Sequence, residues 1–212
     1  MTLRQLPLIP TVVVAIAVAA MIGLGIWQID RAGEKQELIV LYRANLDKPA
    51  MAFPTIGPVP RDAMFRRSSV TCLDVVRWRV EGGRAAKGPS GSRYIAECRT
   101  GAEGPGALID LGVSQDPAVK PRWAGGVATG MITTEPDHTS LIARLFDGGT
   151  VLAPMLISDV PAAGLRASAR PSPDTVPNNH RSYAVQWFLF AAAALIIYVL
   201  ALRKRLKDED SK

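Results

Sequence analysis

Two long runs without a charged residue, one near each end, constrain this chain more than any other feature. Ile9 to Ile26 is eighteen residues, mostly Val, Ala, Ile, Leu and Gly, interrupted by Pro10 and Thr11. Tyr183 to Leu202 is twenty residues. A helix rises about 1.5 Å per residue, so about twenty residues cross the roughly 30 Å hydrocarbon layer of a bilayer. Both runs read as transmembrane helices. The ordinary alternative for the second is a buried core helix, but a core helix of that length carries a polar stripe. The alternative for the first is a cleaved signal peptide, with Arg4 before the run and Ala19-Ala20 as small residues. The run continues past Ala20 to Ile26 and meets Trp27, which suits a membrane interface, so the helix is read as retained.

Charge orients the pair. Arg4 precedes the first run, and Arg203, Lys204, Arg205 and Lys207 follow the second. Basic residues beside membrane helices stay on the cytoplasmic side, and long translocated domains are largely exempt from that rule. The expected layout is a cytoplasmic N-terminus over 1–8, a first span over 9–27, an extracytoplasmic domain over 28–182, a second span over 183–202 and a basic cytoplasmic tail over 203–212.

The middle of the chain reads as one β-rich domain. Trp27, Arg31, Lys35, Leu38 and Tyr42 share a helical face, so the first helix is expected to continue outward until Pro49 and Pro54. Strands are expected over Arg67–Val76, Trp78–Glu81, Tyr94–Arg99, Ala107–Leu111, Gly125–Thr133 and Thr150–Ile157. Gly82-Gly83 and Gly88-Pro89-Ser90-Gly91 are turn signals. One short amphipathic helix is expected over Asp137–Phe146, with Leu141, Ile142 and Leu145 at helical spacing. A proline-rich connector, Pro171 to Pro177, leads to the second span. Short strands with frequent Gly and Pro favour an antiparallel sandwich or open barrel in an α+β arrangement. Cys72 and Cys98 fall on two of these strands. Outside the cytoplasm they are expected either to form one disulfide or to remain two buried thiols.

Composition excludes several functions. Two His and two Cys make a multi-ligand zinc or iron–sulfur site from this chain alone nearly impossible. The domain carries nineteen Lys and Arg against sixteen Asp and Glu, densest at Arg66-Arg67 and Arg77-Trp78-Arg79, with no long cluster. Nucleic acid is not an expected partner; a solvated strand face is the ordinary reading. No glycine-rich phosphate loop precedes a helix, and neither His sits in a nucleophile context, so an enzyme is not expected.

The membrane junctions are more informative. His180, Tyr183, Ala184 and Trp187 share one helical face. Gly23 allows close approach of a neighbouring helix. Gln186, a polar residue inside a span, is expected to face protein or a ligand. Asn178 and Asn179 suit the helix N-cap. Gly-Ile-Trp-Gln-x-x-Arg-x-x-x-Lys, Gly25 to Lys35, resembles the opening motif of the surfeit locus protein 1 family. Asn-Asn-His-x-x-Tyr-Ala-x-Gln-Trp-Phe, Asn178 to Phe188, resembles its closing motif. The two-helix layout matches as well. Between them the chain departs from the family: where relatives show Arg-Gly-Trp after a hydrophobic strand, Ala107 to Ser114 retains only the glycine.

That resemblance implies a bacterial inner-membrane assembly factor for haem-copper cytochrome c oxidase, with its domain in the periplasm. It implies binding of haem a and help in inserting it into the largest oxidase subunit. The alternative is a haem-independent membrane chaperone or scaffold for an assembly intermediate. Expected partners are oxidase subunits, other assembly factors and membrane lipid. His180 is the implied haem iron ligand, with capping of the helix start or a hydrogen bond to a partner subunit as its ordinary role. Tyr183, Trp187, Trp27 and Arg31 are the further candidates for haem contact: the Trp rings by stacking, Arg31 by pairing with propionates. Their ordinary roles are interfacial packing and, for Arg31, lipid phosphate or the nearby Asp30 and Glu34.

Overall fold

The computed structural model describes residues 7–102, 106–140 and 151–210. Helix α1 spans Leu8–Leu46 and helix α2 spans His180–Asp210. Between them come β1 (Met51–Ala52), β2 (Arg67–Cys72), β3 (Asp74–Arg84), β4 (Ser90–Arg99), β5 (Ala107–Ser114), β6 (Gly126–Thr134), β7 (Pro154–Ser158) and a 3-10 turn at Pro173–Thr175. The chain divides into two compact units, one formed by its helical ends and one spanning Ile39–Val176.

In the helical unit, both helices are long and apolar enough to cross a membrane. Their less exposed positions recur at alternating spacings of three and four. On α1 these are Thr11, Val14, Val18, Met21, Gly25, Gln28, Ala32 and Lys35; on α2 they are His180, Ala184, Trp187, Ala191, Ala194 and Tyr198. That is the heptad pattern of a left-handed helix pair. The pair is antiparallel: Thr11 bonds the hydroxyl of Tyr198 near one end, and Gln28 meets His180 near the other.

The second unit is a single mixed sheet in the order β1-β2-β6-β7-β5-β4-β3. Four pairings are antiparallel. The sheet is mainly antiparallel, as expected, and is mixed because β1–β2 and β5–β7 are parallel. The β5–β7 pair is parallel because β6 reverses the chain between them.

The sheet closes on itself for a simple reason. β3 is an edge strand and β2 lies near the opposite edge, yet only Leu73 separates them. Two steps of the chain reach at most about 7.6 Å, so the sheet must curl until these strands meet. Leu73 N–H then donates to Arg99 O on β4 at 2.8 Å. Cys72 and Cys98 lie in a disulfide at the same junction, with Cα atoms 5.2 Å apart. The result is an open barrel. Its interior takes alternate residues from each strand: Tyr94, Ala96 and Cys98, then Ala107, Ile109 and Leu111, with Ala128, Ile132 and Leu156. The C-terminal end of α1 is tied to this unit by Asn45, whose Nδ2 donates to the carbonyls of Arg61 and Met64. Tyr42 packs edge-on against Phe65.

Some elements sit elsewhere than expected. β3 runs straight through Gly82-Gly83, and the chain reverses only at Gly88, where φ is 97°. The helix expected over Asp137–Phe146 falls largely on 141–150, outside the described residues, and Asp137 to Ser140 are irregular. The last strand begins at Pro154 rather than Thr150.

The outer face holds the charges in pairs. Arg77 grips Glu97 with two bonds, Arg79 bonds Glu135 and Glu81, and Arg67 bonds Asp159. In the dense basic stretches Arg67, Arg77 and Arg79 are therefore matched by carboxylates, and Arg66 donates to Pro49 O at 2.6 Å. Asp110 is fully buried on β5. Its Oδ1 accepts from Ser168 Oγ at 2.6 Å and Gly112 N–H at 3.0 Å, and its Oδ2 faces Arg93 Nε at 3.4 Å. Gly112 sits at a register shift with φ 129°, and a Cβ there would lie 2.5 Å from Arg166 O. No other residue fits the space or the backbone there.

Burial raises the Asp110 pKa, against the opposing pull of Ser168, Arg93 and the Gly112 amide. The folded protein therefore keeps this proton to higher pH than the unfolded chain, whose carboxyl titrates near 3.9. Stability contributed by this group is present below the unfolded value and is lost as pH rises through the folded one. Asp110→Asn removes that titration. Thermal unfolding of the full chain in detergent is expected to show the variant gaining on the wild type as pH rises through that window. A constant difference across pH would contradict this account of Asp110.

Candidate functional site

The two end motifs converge within the helical unit. α2 begins at His180, and the N–H of Tyr183 closes its first turn onto Asn179 O at 3.2 Å. Asn178 does not cap its own helix. Its Nδ2 reaches across and donates to Ala32 O on α1 at 3.2 Å, leaving its Oδ1 buried without a partner among the described residues. One turn away from Ala32 along α1, Gln28 Oε1 lies 2.6 Å from His180 Nδ1. The ring nitrogen Nε2 makes no hydrogen bond among the described residues. Gln28 and Asn178 thus pin the start of α2 onto α1, the first through His180 itself and the second two residues before it.

The expected site residues separate into two groups. His180 and Trp187 lie on the face of α2 turned toward α1, together with the buried Ala184. Trp187 meets Phe190 edge-on with ring centroids 6.2 Å apart. Trp27, Arg31 and Tyr183 are exposed; the two residues of α1 pair with each other, the Arg31 guanidinium 5.7 Å from the Trp27 ring. Arg31 also bonds Glu34 at 2.6 Å. These three present an aromatic and cationic surface beside the seam rather than part of it. Cys72 and Cys98 belong to the barrel and lie outside this site.

One expectation from the motifs is corrected. Gly23 has open space around it, and the close approach occurs at Gly25, where a Cβ would lie 2.6 Å from the Phe188 ring. Gly25 falls on the seam and Gly23 lies about 200° around the helix from it. Gln186, expected to face protein or a ligand, lies off the seam and is exposed on α2, because the seam passes through Ala184 and Trp187 on either side of it. The residue that sequence reasoning missed is Gln28. Its signal was available: a carboxamide on the heptad phase of α1, next to Trp27, at the height where a histidine begins α2.

One chemical capacity stands out. Among the described residues no cluster of three or more His, Cys, Asp and Glu is present. What the site offers is one imidazole at the edge of two apolar helices. A porphyrin iron needs from protein only an axial donor and an apolar surround, and the donor set here fits that demand. The buried Asn178 Oδ1 adds an acceptor beside it.

The seam makes a direct prediction. Gly25→Leu forces a branched side chain against Phe188, so α1 and α2 must separate or shift. Spin labels at Ala20 and Leu189, exposed positions at matching height, are expected to show a longer and broader interhelical distance in the variant. An unchanged distribution would mean that the pair does not depend on this contact.

The SURF1 family model matches residues 15–192, which takes in most of α1, the whole barrel and the first half of the apolar run of α2. No curated protein matches the chain significantly. A match over more than four-fifths of the length, with both end motifs meeting at Gln28 and His180, shows that the chain belongs to the SURF1 family, a family associated with cytochrome c oxidase assembly.

Proposed function

We propose that this protein serves oxidase assembly by holding haem a as cargo at His180 and passing it to the largest subunit of the oxidase. The observation that carries this reading is the Gln28–His180 bond, which ties one ring nitrogen to α1 and leaves the other without a partner among the described residues. An imidazole held in this way is the usual form of a histidine that coordinates a metal. Haem a would supply the iron and a large apolar ring that water disfavours. The exposed flank of Trp27 and Tyr183 offers aromatic surface to such a ring. Arg31 lies within one helical turn of Trp27 and carries the cation suited to a propionate.

In this reading both helices span the bacterial inner membrane. The basic tail after Leu202 lies in the cytoplasm and the barrel in the periplasm, where the Cys72–Cys98 bridge is stable. The barrel is read as the docking module for oxidase subunits or other assembly factors. One imidazole gives a single axial bond, which suits a carrier that must release what it holds.

The test is the absorption spectrum of protein purified from cells that make haem a. Wild type is expected to carry a haem a spectrum, and His180→Ala to lose it while keeping the wild-type unfolding temperature. A colourless wild type from haem-a-replete cells would overturn haem carriage and leave a haem-independent chaperone for an assembly intermediate.

A further inference from the structure

We propose that Gln28 is the positioning residue of this site: it fixes His180 in the tautomer with the proton on Nδ1, and so presents the Nε2 lone pair to iron. The inference rests on the haem-carrying reading of His180 and deepens it. The contact joins opposite helices, 152 residues apart in sequence, at 2.6 Å. The carboxamide turns its oxygen, Oε1, toward the ring. An amide oxygen has no proton, so the ring nitrogen must be the donor and Nδ1 must carry the hydrogen. A neutral imidazole holds one proton on nitrogen. With Nδ1 protonated, Nε2 is a bare lone pair able to form a dative bond without first losing a proton.

The surroundings hold Gln28 to this role. It lies on the packed face of α1, with the buried Gly25 and Ala32 one turn to either side. Asn178 donates to Ala32 O and so holds the start of α2, the backbone that carries the ring, against α1 beside the carboxamide. The opposite assignment, with the carboxamide nitrogen donating to Nδ1, would put the ring proton on Nε2 and block it as a ligand. The two assignments make opposite predictions.

A bond to Nδ1–H also sets how strongly the ring donates. A better acceptor draws the proton outward, makes Nε2 more electron-rich and favours ferric over ferrous iron. Gln28→Glu is therefore expected to lower the midpoint potential of bound haem. Gln28→Leu is expected to weaken haem binding by about ten- to a hundredfold, the usual cost of losing such a support.

The chain has two histidines, so His138→Ala leaves His180 as the only one. That variant of the full chain, labelled with nitrogen-15 histidine and placed in lipid nanodiscs without haem, gives a direct reading of the tautomer at a pH where the ring is neutral. The expected result is a protonated Nδ1 and an unprotonated Nε2, with the preference lost in Gln28→Leu. A protonated Nε2 in the parent protein would overturn the inference even if the protein carries haem. Equal haem affinity and equal potential in wild type, Gln28→Leu and Gln28→Glu would overturn it as well. A protein with the expected tautomer that binds no haem a would instead overturn the carrier reading, and with it the purpose assigned here to Gln28.

Discussion

The functional reading depends on the seam between α1 and α2. Each helix alone is an apolar cylinder with a motif at one end. The seam brings the two motifs to one height, because Thr11 meets Tyr198 at one end and Gln28 meets His180 at the other. Polar contacts between membrane helices average only about 0.6 kcal/mol, so these bonds do not hold the pair together by themselves. Close packing at Gly25, Ala184 and Ala191 does that, with the Phe188 ring over Gly25. The polar contacts then set the register. A slip by one residue would turn Gln28 and His180 out of the seam by about 100°.

The barrel obeys a different constraint, chain length. Leu73 alone connects two strands that lie far apart in the sheet order, so curling is forced before any side chain is considered. The disulfide then fixes β2 to β4 at that closure. Inside, small residues such as Ala96, Ala107 and Ala128 alternate with Tyr94, Ile109 and Ile132, which lets side chains fill a narrow barrel. Outside, Arg77, Arg79 and Arg67 are each spent on carboxylates of neighbouring strands.

Much of this was legible in the sequence because the strongest signals are one-dimensional. Eighteen or twenty residues without charge mark a helix whatever its neighbours do. Alternation and turn residues located most of the strands, with errors where local chemistry was ambiguous: Gly82-Gly83 reads as a turn but lies within an edge strand. The parallel β5–β7 pairing was not legible, since nothing in either strand states which partner it will meet. The same holds at the site. His180 was identified through a motif, but Gln28 required the phase of one helix against another. Gly23 and Gly25 look equivalent in the sequence; only the packing of Phe188 distinguishes them.

The central claim is that one site is built from both ends of the chain. Solid-state NMR in lipid bilayers measures it directly, through the dipolar coupling between the labelled carboxamide carbon of Gln28 and the Nδ1 of His180. The account predicts a strong coupling, at hydrogen-bonding distance, in the protein without cargo. Two intact helices with no coupling between these atoms would contradict it, because the histidine would then be set by α2 alone and the opening motif would have no part in the site.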